Sequence, residues 1–284
     1  MKKLIVNADD FGLHADVNQA IIQGHKLGCI TSTSLMPTGT AAEAAAALAK
    51  ETPTLGVGVH LTLVAERPVL PPEKVPSLVD ADGRFFPDHM VFIKKYLMGK
   101  IAMAELRAEC AAQIERIEDW GLKPTHLDSH QHLHVLPGLF DICLELAEKH
   151  RIKKMRLPAE AYTFSGGYPA DKGRMIAKCG LTFLAQLARC KAKKKGMVMP
   201  DHFFGMVAGG HMEEKYFQAV LEALPEGSSE IMIHPGLHSD ILGQSYAWQY
   251  HWTDEYKAVT AARVLQYIKE NQINLISFKE LAHE

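Results

Sequence analysis

Residues 3–12 read Lys3-Leu4-Ile5-Val6-Asn7-Ala8-Asp9-Asp10-Phe11-Gly12, a short apolar run that ends in two adjacent acids. The aliphatic and β-branched residues predict a buried strand, and Gly12 permits the backbone to turn directly after it. In sheets and barrels of parallel strands, chemistry collects at the carboxyl ends of the strands. We therefore interpret Asp9 and Asp10 as residues of a functional site, the alternative being that one of them caps the next helix.

The same alternation of apolar strands and amphipathic helices continues along the chain. Further strands are predicted at residues 28–36, 55–62, 154–160, 230–236 and 273–277. Helices are predicted at residues 40–50, 104–120, 137–150, 174–190 and 255–269. A succession of this kind indicates an α/β fold of mainly parallel strands joined by right-handed crossovers.

Two stretches depart from this regular alternation. Residues 64–100 contain several prolines and an Asp-Gly pair, and residues 161–210 contain paired glycines and a run of lysines. Such compositions are typical of excursions from a scaffold, and we expect the first to lie over the site. A chain of 284 residues is within the range of α/β barrels, so we expect one domain that covers residues 1–284.

Four histidines and one aspartate lie within nine residues of the stretch Thr125-His126-Leu127-Asp128-Ser129-His130-Gln131-His132-Leu133-His134. If the stretch is extended, one face carries His126, Asp128, His130, His132 and His134. If it is helical, only histidines four positions apart share a face. Either form presents several imidazole nitrogens to one volume, which favours a divalent metal site over a polar loop.

Other predicted strands also end in side chains that can do chemistry, namely His60, Arg156 and His234. One carboxylate and two imidazoles around a metal leave coordination positions for water and substrate. We predict Asp10, His60 and His130 as the three ligands.

The remaining polar strand-end residues complete a hydrolytic site. Asp9 could take a proton from the metal-activated water as general base, with Arg156 holding it ionised by opposite charge. The metal would polarise the carbonyl, and His234 could protonate the departing amine. The sequence therefore predicts metal-assisted hydrolysis of an amide.

Composition limits the partners that the protein can have. A formal charge of −2 gives no general attraction to nucleic acid or anionic lipid. The first residues lack a signal-peptide core and no apolar run is long enough to span a membrane, so we expect a cytoplasmic protein without nucleic-acid or membrane partners. The five cysteines form no CxxC pair, which argues against a disulfide framework or a thiolate zinc site.

Five ordered motifs resemble those of the YdjC-like carbohydrate deacetylases, a family that includes chito-oligosaccharide deacetylase. The motifs are Val6-Asn7-Ala8-Asp9-Asp10-Phe11-Gly12, Gly58-Val59-His60, Pro124 to His134, Arg156-Leu157-Pro158 and Ile233-His234-Pro235. They span most of the chain, and their order makes the resemblance far more specific than any single motif.

The resemblance implies a distorted (β/α) barrel that removes the N-acetyl group of a small N-acetylglucosamine-containing sugar and releases acetate. It also implies a magnesium ion at the residues matching Asp10, His60 and His130. Asp9 matches the base, His234 the acid and Arg156 the residue that orients the base. The other matched residues, expected to contact substrate or support the metal ligands, are His126, Asp128 and His132.

Several alternatives remain open at this point. Two nitrogen ligands and one carboxylate suit zinc at least as well as magnesium. A metallophosphoesterase would need a second metal, for which His126 and Asp128 could supply ligands. A sugar-binding regulator without catalysis is a further alternative. The partners we expect are a small carbohydrate and, for a chain of this size, a second copy in a homodimer.

Overall fold

The computed structural model describes residues 1–282. The strands are β1 (Lys2–Phe11), β2 (Ser32–Leu35), β3 (Gly56–Leu61), β4 (Leu127–Ser129), β5 (His202–Phe204), β6 (Gly227–Ile233) and β7 (Asn274–Leu275). The α-helices are α1 (Ala15–Leu27), α2 (Ala42–Glu51), α3 (His89–Leu97), α4 (Met103–Asp119), α5 (Leu139–Lys149), α6 (Lys172–Lys194), α7 (Glu214–Ala223), α8 (Ser239–Ser245), α9 (Trp252–Thr260) and α10 (Ala262–Glu270). Short 3-10 helices cover Pro72–Lys74 and His130–Val135.

The strands form one sheet in the order β4-β3-β2-β1-β6-β5, and β7 pairs with β1. Neighbouring strands are parallel. Isolated parallel bridges from Leu127 to Met155 and from Lys154 to Val198 continue the sheet beyond β4. The sheet curls into a half-barrel surrounded by helices, which confirms the predicted α/β barrel-like fold.

Strand β1 lies at the centre of the sheet and is buried from Leu4 to Phe11. Its two faces are covered by other elements, and this explains why the strand reads as a continuous apolar run rather than an alternating one. The register with β2 shifts between Ala8 and Phe11, and Asp10 inside that irregularity has a φ of 65°. The irregularity changes the direction of the backbone, so that Asp9 and Asp10 can both serve the same site.

Three details of the predicted elements are wrong. The region 154–160 contributes only isolated bridges, at Lys154 and Met155. The excursion at 161–210 contains strand β5, which pairs with β6 and extends the sheet. The single helix predicted at 255–269 is two helices, α9 and α10, which meet at Ala261 in an extended conformation. Across residues 1–282, no helix combines the length and the apolar character needed to cross a membrane.

Gly58 on β3 provides the space for a buried imidazole. A Cβ atom at Gly58 would lie 2.4 Å from Cε1 of His126, whose ring stacks on Phe278 at 3.8 Å between centroids. The ring has no room to retreat, because His126 and Phe278 are both fully buried. The absence of a side chain at position 58 therefore lets the segment around Phe278 pack against the sheet.

We expect Gly58→Ala to lower the free energy of unfolding by about 1–3 kcal/mol, because the added methyl group overpacks this contact. Urea denaturation of the two proteins would measure the change. The control is Gly243→Ala on α8, where a Cβ meets no atom of the described chain within 4 Å. The control should be neutral or slightly stabilising, and equal midpoints for the two variants would contradict the prediction.

Candidate active site

The carboxyl ends of four strands of the sheet, β4, β3, β1 and β6, bring the predicted site residues together. Asp9 and Asp10 come from the end of β1, His60 from the end of β3, and His234 directly follows β6. His130 follows β4 at the start of a 3-10 helix. All five side chains are at least nine-tenths buried, which a parallel sheet covered on both faces imposes on its strand ends.

Asp10, His60 and His130 form a group whose ligand atoms lie within 4.8 Å of one another. The Oδ1 atom of Asp10 is 3.0 Å from Nδ1 of His130 and 3.5 Å from Nε2 of His60. These are the residues that the sequence predicted as metal ligands. One carboxylate with two imidazoles is a ligand set that suits zinc, iron and other divalent ions. Magnesium prefers oxygen ligands, of which the carboxylate supplies one.

A second observation fits a cation at this group. The Oδ2 atom of Asp10 is buried and finds no hydrogen-bond partner within the 282 described residues. Burial raises the pKa of Asp10, but the nearby His130 and His60 outweigh it and hold the pKa well below its usual range, so the group is ionised. An ionised buried carboxylate with an unused oxygen is a position where a cation is stabilised.

Asp128 orients His60. The Nδ1–H of His60 donates to Oδ1 of Asp128 at 2.7 Å, which leaves Nε2 facing Asp10. Burial lowers the pKa of His60, but the charges of Asp128 and Asp9 outweigh it and raise the pKa to about 10. A carboxylate on the far nitrogen of a histidine fixes the tautomer and makes the near nitrogen a better metal ligand. The predicted supporting role of Asp128 remains a proposal that this geometry favours.

Arg156 is fully buried among three carboxyl groups. Its Nη1 and Nη2 donate to the two oxygens of Asp9, each at 2.6 Å, and Nη1 is 3.0 Å from Oδ2 of Asp128. Its Nε donates to Oε1 of Glu230 on β6 at 2.7 Å. Burial lowers the pKa of Arg156, but the three carboxyl groups outweigh it and raise the pKa, so the guanidinium is always charged. The bidentate pair fixes the orientation of the Asp9 carboxylate.

Two buried acids of the site, Glu230 and Glu255, were not predicted from the sequence. Glu230 is an interior residue of β6, and an acid within an otherwise apolar strand is the sequence feature that could have indicated a buried charge partner. Glu255 is fully buried on α9 and accepts the backbone N–H of His234 and of Met212. Its Oε2 lies 3.9 Å from Nδ1 of His234, a ring atom with no hydrogen-bond partner among residues 1–282. No local sequence pattern connects Glu255 to a histidine 21 positions away.

The histidine stretch does not follow the extended form that would place its five side chains on one face. Strand β4 ends at Ser129, and Gln131 and His132 adopt left-handed backbone angles, with φ of 57° and 55°. His134 consequently turns inward, where its ring contacts Ser129 Oγ and the carbonyl of Arg156. It therefore supports the strand ends and is not beside His130 in the cavity.

The two remaining predicted histidines lie in different places. His126 is 3.1 Å from Ser34 Oγ, which donates to Asp128, so it lies behind the site rather than in the cavity. Burial lowers its pKa to about 3, which keeps the ring neutral. His132 lines the cavity and is 8% exposed, and its Nδ1 has no hydrogen-bond partner in the described part of the chain.

A cavity of about 420 Å³ opens onto the polar group. Its floor includes Asp9, His60, His130 and His234. Its walls are largely apolar and come from the two excursions, with Met90 and Ile93 of α3 on one side and Leu181 and Leu184 of α6 on the other. A cavity of this size that combines apolar walls with a few convergent polar groups is typical of a small-molecule site.

The fold and the site together define a barrel-like α/β protein with a candidate metal centre at the carboxyl edge of its sheet. The chain belongs to the YdjC-like protein family, whose family model matches residues 3–270. The resemblance found in the five sequence motifs is thereby confirmed.

Relatives match this chain over nearly its whole length. A carbohydrate deacetylase from Brevibacillus brevis is 36% identical and covers 98% of this chain and 99% of its own. A chitooligosaccharide deacetylase from Salmonella paratyphi B is 30% identical, with 98% of each chain covered. The crystal structure of an Enterococcus faecalis protein assigned to cellobiose-phosphate cleavage has a TM-score of 0.77 at 30% identity, with 99% of each chain covered.

The Glu230 carboxyl group predicts a pH dependence of stability. Burial outweighs the charge of Arg156 and raises the pKa of Glu230 to about 7. An acid with a raised folded-state pKa contributes stability that is complete below its unfolded pKa and is lost as the pH rises through the folded value. Glu230→Gln removes this titration but keeps an oxygen for the Nε–H of Arg156.

We therefore expect the unfolding free energy of Glu230→Gln, relative to that of the natural protein, to rise between about pH 5 and about pH 8. Urea denaturation at several pH values would measure it. Glu43→Gln, at an exposed position of α2, is the matched control and should show no such trend. A difference that stays constant with pH for Glu230→Gln would contradict the assignment.

Proposed function

We propose that this protein is a metal-dependent deacetylase that removes the N-acetyl group of small N-acetylglucosamine-containing sugars. The observation that carries the proposal is the convergence of the Asp10, His60 and His130 group with Asp9 and His234 in one cavity. The chain is a hydrolase of the carbohydrate deacetylase class, since relatives that match almost all of it carry that name. The name of the Salmonella relative supports chito-oligosaccharides as the substrates.

Asp10, His60 and His130 would hold a divalent ion, which when bound polarises an amide carbonyl and lowers the pKa of water. Magnesium is the ion implied by the resemblance in sequence, and zinc also suits two imidazoles and a carboxylate. The single guanidinium of Arg156 pairs with three carboxyl groups, those of Asp9, Asp128 and Glu230, whereas Asp10 lies beside His60 and His130. The excess of acids makes the cavity floor favourable for a cation of either kind.

Asp9 is the residue that we assign as general base. Its Oδ2 lies 3.9 Å from Nε2 of His60, so the carboxylate is next to the proposed ligands. The same oxygen accepts a hydrogen bond from Nη1 of Arg156, which fixes its position. Asn7 donates to Oδ1 of Asp9 at 2.9 Å and adds a third fixed contact. A carboxylate held in this way can accept one proton from a water whose oxygen attacks the amide carbon.

His234 is the residue that we assign as general acid. It lines the cavity with Asp9, and Glu255 fixes its backbone. When the tetrahedral species collapses, the carbon–nitrogen bond breaks and a proton from His234 goes to the nitrogen. The products are acetate and the free amine of the sugar. Asp9 has gained one proton and His234 has lost one, so transfer of the proton from Asp9 to His234 returns both residues to their starting forms.

The phosphoesterase alternative needs a second metal, and the geometry does not favour one. The second group of ligand-type residues, Asp9, His60 and Asp128, shares His60 with the first. Arg156 pairs with both of its carboxylates, and a fixed positive charge there repels a second cation. His126 is the other residue considered as a ligand of a second metal. Its two ring nitrogens are already in hydrogen-bond contact with the hydroxyl groups of Ser34 and Thr125.

The metal requirement can be tested by acetate release from N-acetylglucosamine oligomers. We expect protein stripped of metal by a chelator to be inactive, and addition of one ion among Mg, Zn, Mn and Co to restore release, because the ligand group needs a cation to activate the amide. Phosphate esters serve as the control substrates. Release of phosphate but not of acetate would replace this proposal with the phosphoesterase.

Two variants separate the base from the ligands. Asp9→Asn should still bind one metal ion but lose about 10²- to 10⁴-fold in kcat, the usual contribution of a general base. His130→Ala should lose both metal and activity. Elemental analysis after dialysis and initial rates of acetate release measure the two properties. Normal turnover by Asp9→Asn would show that another group accepts the proton.

A further inference from the structure

An aromatic row borders the candidate active site. Residues 246–252 carry an aromatic side chain at every second position, namely Tyr246, Trp248, Tyr250 and Trp252. Successive ring centroids are 5.0, 5.6 and 5.5 Å apart. These spacings are those of interacting aromatic pairs, so the four rings form a continuous wall, which we call the aromatic row.

Both ends of the aromatic row are fixed to the scaffold. Trp252 is 2% exposed at the start of α9. Tyr246 donates its hydroxyl to the carbonyl of Leu13 at 3.2 Å. Tyr250 in the middle of the row packs against Gly210, and the backbone N–H of His251 donates to the carbonyl of Gly210, so the middle is also held to the scaffold.

The middle of the row faces the residues that we assign to the reaction. Tyr250 lines the cavity, and its ring centroid lies 4.9 Å from that of His234. The Trp248 ring lies 5.2 Å from that of His130, tilted by 40°. Gln249 between them has a φ of 55°, a backbone conformation that is unfavourable for a residue with a side chain. Strain of this kind collects at functional sites.

Trp248 differs from an ordinary core tryptophan. It is half-buried, although its ring contacts His130, Tyr246 and Tyr250. A tryptophan in the core would be buried on all sides, whereas this one keeps part of a large apolar ring accessible beside the candidate active site. A ligand with an apolar face could pack against that ring.

We propose that Trp248 and Tyr250 form a stacking subsite for the pyranose ring of the substrate. One face of a gluco-configured pyranose carries only C–H bonds, and their positively polarised hydrogens complement the negative face of an aromatic ring. The inference rests on the proposed function, and it specifies which face of the sugar contacts the protein. With one ring against His130 and the next against His234, a stacked sugar would present its acetamido group between the proposed ligands and the proposed acid.

The test is binding of N,N′-diacetylchitobiose by the metal-loaded protein, measured by calorimetry and by quenching of tryptophan fluorescence. Trp248→Ala should weaken binding by about tenfold or more, and Trp248→Phe, which keeps an aromatic face, should stay within about threefold. Trp248→Phe should also lose the quenching. Trp120→Phe, at the end of α4, is the matched control and should keep both the affinity and the quenching.

Kinetics and metal content distinguish stacking from support of His130. A stacking role raises KM in Trp248→Ala much more than it lowers kcat, and it leaves the bound metal unchanged by elemental analysis. Unaltered sugar affinity in Trp248→Ala, weakened affinity together with loss of the bound metal, or no binding by the natural protein would each overturn the inference. Weakened binding in the variant together with no acetate release by the natural protein would support the subsite and end the deacetylase proposal instead.

Discussion

The buried guanidinium of Arg156 is the interaction on which the rest of the site depends. It binds Asp9 at the end of β1, Asp128 on β4 and Glu230 on β6, so one cation joins three strands at the interior of the half-barrel. Three carboxyl groups without that cation would be too costly to bury so closely together. The pairing with Asp9 also decides the direction in which its carboxylate faces, and therefore where a proton can be accepted.

Asp128 connects Arg156 to His60, one of the proposed metal ligands. One of its oxygens contacts Arg156 and accepts from Ser34, and the other accepts from His60. Fully satisfied networks of this kind are rigid, because each member loses a partner if another moves. Asp10 differs from Asp128, since one of its oxygens has no partner in the described chain. This buried oxygen lies beside His60 and His130, where a cation would be stabilised.

The floor and the walls of the cavity come from different parts of the chain. The polar floor belongs to strand ends, whose positions the sheet fixes. The walls belong to α3 and α6 from the excursions and to the aromatic row, which are connected to the scaffold by loops. Substitutions in the walls should therefore be tolerated better than substitutions in the floor, because loops accept changes that a buried sheet does not.

The sequence alone determined the parallel α/β class, the strand-end location of the acids and histidines, and the identity of the Asp10, His60 and His130 group. These follow from local patterns, since the period of apolar residues and the chemistry of side chains can be recognised within short stretches of sequence. Only the tertiary structure decided which histidines of the stretch face the cavity, because two left-handed residues at 131 and 132 redirect the chain. It alone revealed the charge partners Glu230 and Glu255 and the edge strand β5. Partners 74 and 21 positions apart meet through sheet topology, a long-range property that no local pattern encodes.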